Sequence, residues 1–203
     1  LDPSLTAGLP QKVTSTTGMD ALCHAVEAYI GNSNTKETKA KAEEAVKLIF
    51  KYLKRAYDNG GDMEARENMQ TAAFDAGVAF TRAYVGNWHA MGHAMGAKYN
   101  TPHGLAMAVI LPHMLDFYGE KIYRKLAKLA DAAGISGKDD EEKAKAFIRA
   151  VKDMNAYMNI PENFGGIIRK EDVPEMCEAA YKEANPLYPL TVTMGREEFA
   201  QMY

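Results

Sequence analysis

Two cysteines in 203 residues are too few for a disulfide framework, and Cys23 and Cys177 have no neighbours at metal-binding or redox spacing. Their scarcity points to a reducing compartment, and the cytoplasm is the expected location. Long apolar runs are missing too: none approaches the roughly 18 residues that a membrane-spanning helix needs. No basic stretch followed by an apolar one opens the chain, so no secretory signal is legible. An excess of one charge is also lacking. Lys and Arg number 24 against 27 Asp and Glu, a net charge of −3 with the signs interleaved, so neither nucleic acid nor an anionic membrane is an expected partner. Neither G-x-G-x-x-G nor a P-loop occurs; Gly60-Gly61 and Gly165-Gly166 are isolated pairs.

Strand signals are nearly absent as well. Leu190-Thr191-Val192-Thr193 is the best short candidate, and Pro186 and Pro189 argue for irregular chain there. What is present is helical periodicity. Residues 1–16, with Pro3, Gly8, Pro10 and the start of a Thr/Ser cluster, read as loop; from Gly18 onward Met19, Leu22, Cys23, Val26 and Tyr29-Ile30 form an apolar stripe ended by Gly31-Asn32. A second helix is predicted over 35–57, with Ala42, Ala45, Val46, Ile49 and Leu53 inward. A third, capped by Asp62, should run through 83 with a face of small residues suited to close packing. Further helices are predicted over 88–98, 104–118, 120–133, 139–157, 172–183 and 195–202. No repeat or linker divides the chain, and 47% apolar residues suffice for a core. The expected fold is one all-α domain, 1–203, of eight or nine helices.

The five histidines carry the chemistry. His24 lies four residues after Asp20 in T-G-M-D-A-L-C-H-A-V-E-A-Y, so the two can reach one point from one helix face. His89 and His93 repeat that spacing in H-A-M-G-H-A-M-G-A-K-Y-N-T-P-H-G, and His103 arrives from a loop bounded by Pro102 and Gly104. A single histidine on an apolar face is more often a core or helix-end residue than a ligand. One carboxylate and several imidazoles converging from separate elements, however, suit a mid-series divalent metal. His113, after Pro112, is expected to cap or support rather than to bind metal. Trp88 and Phe80 could line a pocket, with core packing the simpler role. Thr14 to Thr17 could hold a phosphate or ribose ahead of a helix N-terminus or merely cap that helix. The glycines and alanines around the histidines either leave room for a substrate or let helices pack tightly.

The two histidine motifs, continued by G-L-A-M-A-V-I-L-P-H, resemble the iron-containing (group III) alcohol dehydrogenases over essentially the whole chain. The resemblance implies a helical domain of the dehydroquinate synthase-like kind, with Asp20, His24, His89 and His103 as metal ligands. It implies His93 as the non-ligand active-site histidine near the nicotinamide, and Leu5, in D-P-S-L-T, as a contact of the adenine nucleotide. Cys23 stands where Thr is common in the family. The implied cofactors are Fe(II), with Zn an alternative, and NAD or NADP; the implied partner is a small alcohol or aldehyde, and the implied assembly a homo-oligomer, a dimer. In such an enzyme the metal acts as a Lewis acid on the alcohol oxygen, hydride passes to the nicotinamide, and His93 relays the proton.

The family's N-terminal α/β domain with its glycine-rich pyrophosphate loop has no counterpart here. Leu1-Asp2-Pro3-Ser4 reads like the middle of a loop, so the chain is expected to be the C-terminal part of something longer. Two rival readings stand beside the dehydrogenase: a catalytically silent metal-binding fragment, and a metal-dependent hydrolase or oxygenase on a helical scaffold. The hydrolase would need a carboxylate base near the metal, yet no H-E-x-x-H occurs.

Overall fold

A computed structural model describes residues 1–203 and contains nine α-helices and no strand. A 3-10 turn, Pro3–Thr6, precedes α1 (Gln11–Ile30); α2 (Lys36–Asp58), α3 (Met63–Ala83), α4 (Asn87–Tyr99) and α5 (His103–Tyr118) follow. The remainder is α6 (Tyr123–Ala132), α7 (Asp140–Tyr157), α8 (Val173–Ala184) and α9 (Arg196–Met202). None of these helices is long and apolar enough to cross a membrane.

Local chemistry explains the long helices. At the head of α2, the Thr35 and Thr38 side chains satisfy each other's free backbone N–H groups, and Ala42, Ala45, Val46, Ile49 and Leu53 recur at helical spacing along its buried face. Asp62 caps α3 by accepting from the Ala65 N–H, and the buried alanines 65, 72, 76, 79 and 83 give that helix a flat face. Small side chains let α1, α2 and α3 come together as a closely packed trio. On its other flank α1 meets α5, which packs in turn on α4 and α7; α4 is backed by α8, and α6 and α7 form a hairpin reaching α2. A single cluster of 54 buried apolar residues, drawn from all nine helices, joins these pairs into one core.

Two features differ from the sequence-based expectation, at the start of α1 and at His103, and a third bears it out. The first helix begins at Gln11, so Thr14 to Thr17 lie inside it and neither cap it nor stand ahead of it. Ser15 and Thr16 donate to the Lys12 carbonyl and Thr17 to that of Val13, which absorbs hydroxyls that on paper suggest a loop. Residues 190–193 form no strand, in line with the irregular chain that Pro186 and Pro189 suggest. That segment is tied to the α1–α2 corner, where Asn32 donates its backbone N–H to the Pro189 carbonyl and its side-chain amide to that of Leu190. His103 is the first residue of α5 rather than a loop residue.

The junction that places His103 depends on Gly104. A Cβ there would stand 2.7 Å from the Thr16 carbonyl oxygen and 2.8 Å from its carbon. Only glycine lets the start of α5 touch the α1 backbone this closely.

Candidate metal centre

Asp20 and His24 project from the middle of α1, His89 from the first turn of α4 and His103 from the first residue of α5. One donor atom from each lies within 4.8 Å of the others. Asp20 Oδ1 is central: it is 3.8 Å from His24 Nδ1, 3.6 Å from His89 Nε2 and 3.4 Å from His103 Nε2. The His24 and His89 rings stack with centroids 4.4 Å apart, and Phe80 stacks on the other face of His24 at 4.3 Å.

Polar groups this deeply buried are normally paired, and two here are not. Asp20 Oδ1 and His89 Nε2 are both buried without a hydrogen-bond partner, although they face each other. Ligands held about 2.1 Å from one ion are at most about 4.2 Å apart, and these two, 3.6 Å apart, already lie within that limit, so one cation could satisfy both. The donors fit such an ion: one carboxylate oxygen and three imidazole nitrogens suit Fe(II) or Zn(II).

Burial and neighbouring side chains shift the protonation of Asp20, His24 and His89 strongly. Burial works against the charged form of Asp20, but the His103, His89 and His24 rings outweigh it and hold the carboxyl well below the usual range. Burial, reinforced by the neighbouring His89, pushes His24 down to about 4. For His89 burial again opposes charge, yet Glu27 and Asp20 overcome it and hold the ring at about 9.

Glu27 was not among the expected site residues. It lies on α1 three residues after His24 and seven after Asp20, on the same helix face, and that register is the signal that could have found it. Its Oε2 accepts from His89 Nδ1, and its Oε1 accepts the Trp88 backbone N–H at 3.0 Å. A carboxylate has no proton to give, so a neutral His89 keeps its proton on Nδ1, and Nε2 is the nitrogen it offers to a metal. Gly86 makes room for this contact: a Cβ there would stand 2.8 Å from Glu27 Oε1.

His93 takes no part in the four-donor cluster. Its ring stacks on His103 at 5.3 Å, is 45% exposed, and pairs through Nδ1 with Glu183 of α8 at 2.7 Å. A cavity of about 470 Å³ opens over the cluster, with His24, His89, His93 and His103 on its floor and Phe80 and Tyr188 among its walls. Trp88 is wholly buried in the core, so of the two expected aromatics only Phe80 faces the cavity. His113 donates to the Glu162 carbonyl at 2.7 Å and stands apart from the cluster, in keeping with a supporting role. Cys23 is buried, with its thiol directed at the Met107 carbonyl at 3.4 Å. Leu5 is 79% exposed on the 3-10 turn and does not line the cavity.

The model of the Fe-containing alcohol dehydrogenase family, C-terminal, matches residues 14–203. The chain belongs to that family. It is 39% identical over 187 residues to 1,3-propanediol dehydrogenase of Klebsiella pneumoniae, a match covering 91% of this chain and 48% of the relative. Lactaldehyde reductase of Escherichia coli K12 is 36% identical over 185 residues, covering 89% and 47%. Among solved structures, 1,3-propanediol oxidoreductase superposes with a TM-score of 0.94 at 36% identity, over 99% of this chain and 53% of that one. Sulfoacetaldehyde reductase from Bifidobacterium kashiwanohense, solved in complex with NAD+, gives 0.88 at 26% identity, over 100% and 52%. The chain thus spans about half the length of the curated relatives it matches.

Proposed function

We propose that these 203 residues form the metal-binding, substrate-facing part of a nicotinamide-dependent alcohol dehydrogenase that interconverts small alcohols and aldehydes. The observation that carries the reading is the orphaned pair, Asp20 Oδ1 and His89 Nε2, enclosed with two more imidazoles in a site with room above it. Asp20, His24, His89 and His103 would hold one divalent cation, Fe(II) or Zn(II). When bound, that cation supplies Lewis acidity toward a substrate hydroxyl.

The protein's own groups do the rest. Glu27 fixes the His89 tautomer and so keeps a donor nitrogen turned toward the cluster. Phe80 holds the His24 ring by stacking, and the small residues beside the histidines leave space for a short substrate. His93, one turn from His89 and open to solvent, is placed to receive the hydroxyl proton and release it to water. Leu5, exposed on the opening turn, would touch the adenine of NAD or NADP. The relatives named above act on a propanediol and on lactaldehyde, which favours short, polar alcohols and aldehydes. Family membership leaves the hydrolase reading without support of its own.

Metal content tests the site directly. Protein purified without chelator should carry about one Fe or Zn per chain, and His103→Ala should lose most of it, because an incomplete ligand set holds metal poorly. Full occupancy in that variant would remove His103 from the site.

A further inference from the structure

We propose that Glu183 is a positioning residue for His93, holding the ring's proton on Nδ1 so that Nε2 is left as the acceptor facing the cavity. The inference rests on the dehydrogenase reading for its purpose, though its geometry stands independently. Glu183 Oε1 accepts from His93 Nδ1 at 2.7 Å and from the Tyr188 hydroxyl at 2.7 Å. An ionised carboxylate offers only lone pairs, so a neutral His93 meeting it through Nδ1 must place its proton there. The Nε2 lone pair then belongs to a ring on the cavity floor. Without such a partner, nothing in the contacts of His93 would hold the proton on Nδ1, and the ring would fall back on the Nε2–H tautomer that a free neutral histidine favours.

The arrangement suits proton transfer. A hydroxyl proton taken up by Nε2 turns the ring into an imidazolium whose charge is paired at once by Glu183. The same proton can then leave from Nε2 to water, since the ring is 45% exposed, and the tautomer is restored. Tyr188 is both a cavity wall and the second donor to Glu183, so it holds the carboxylate against His93.

Contacts other than Glu183 also tie α4 to its neighbours. Helix α4 is braced against the α8 region by Lys98 to Asp172 and Glu175, and by the Tyr99 hydroxyl to Asp172. The Tyr203 hydroxyl adds a bond to the Met91 carbonyl at 3.0 Å. These contacts remain when Glu183 is replaced.

Nitrogen-15 NMR of the histidine rings, in metal-free and Zn-loaded protein at a pH where His93 is neutral, reads the tautomer directly. The parent should show a protonated Nδ1 and an unprotonated Nε2 at His93. Glu183→Ala and the space-filling Glu183→Leu should each move the proton to Nε2, while Tyr188→Phe, which keeps the carboxylate, should not. A parent with its proton on Nε2, or a glutamate variant that keeps it on Nδ1, overturns the proposal. Zinc content, measured on the same samples, reports separately on the dehydrogenase reading: a parent that takes up no Zn sinks the metal site and leaves the tautomer measurement intact.

Discussion

Replacing Glu27 by Gln keeps the side chain's volume but removes its charge and one of its two acceptors. Glu27 is 4% exposed and His89 2%, so water cannot substitute for what is lost. In the parent one carboxylate oxygen accepts the Trp88 N–H and the other accepts from His89 Nδ1. An amide has a single oxygen, so whichever way it flips, one of those donors confronts the amide NH2. A buried donor left unpaired costs about 1–3 kcal/mol, and the metal-free variant should lose stability in that range. Metal affinity should fall about 10–100-fold, the range seen when the group orienting a ligand histidine is removed. That corresponds to about 1.4–2.8 kcal/mol. Competition of Zn(II) against a chromophoric chelator gives the affinity, and urea unfolding with and without Zn(II) gives the stability. Glu27→Ala, which abandons both donors and leaves a void, should do worse on both counts. A Gln variant that binds zinc as tightly as the parent would refute the reasoning, because packing alone would then set the orientation of His89.

Other perturbations reach the site from different sides. In metal-free protein His89 is held up to about 9 against an ordinary 6.5, so its contribution is complete below about pH 6.5 and lost as pH rises through about 9. His24, pushed down to about 4, works oppositely: stability should climb from about pH 4 to 6.5. Urea titrations should therefore trace a maximum near pH 6.5, and saturating Zn(II) should abolish the alkaline decline, since a ligating His89 has already given up its proton. Gly104→Ala drives a Cβ into the Thr16 backbone, which cannot yield as a side chain would. The strain, about 1–3 kcal/mol, should lower the melting temperature and weaken zinc binding together, and an unaltered melt would show that α5 shifts freely. His93→Ala, in protein competent to turn over with nicotinamide cofactor, should keep its metal and slow about 10²–10⁴-fold. Loss of metal instead would make His93 a ligand.

How much of the fold can be read from the chain depends on how each helix earns its place. In α2 the apolar positions recur without interruption and the ends carry a cap and an Asn-Gly-Gly stop, so its limits are legible almost to the residue. The start of α1 is not. Gln11 to Thr17 has no apolar stripe, and its Ser and Thr suggest a turn until their hydroxyls are seen to bond back to carbonyls within the same helix. Residues 190–193 are legible for another reason: Thr191-Val192-Thr193 favours a strand by residue type, but Pro186 and Pro189 point to irregular chain, and single bonds to the α1–α2 corner and from Asn87 hold the segment in place.

The site was legible where its residue types are scarce. Five histidines in 203 residues make the grouping of His89, His93 and His103 conspicuous. The acids that govern them are hidden among 27 Asp and Glu, because Glu27 lies 62 residues from His89 and Glu183 lies 90 from His93. Their role is set by packing, which no local spacing encodes. This bears on the two histidines one turn apart on α4. Each gives its Nδ1 to a carboxylate and keeps Nε2 for the interior of the site. They part ways in their surroundings: His89 is 2% exposed with Nε2 3.6 Å from Asp20, and His93 is 45% exposed on the lining of the cavity. Identical spacing and chemistry thus yield a candidate ligand and a candidate proton carrier, with distance from one aspartate deciding between them.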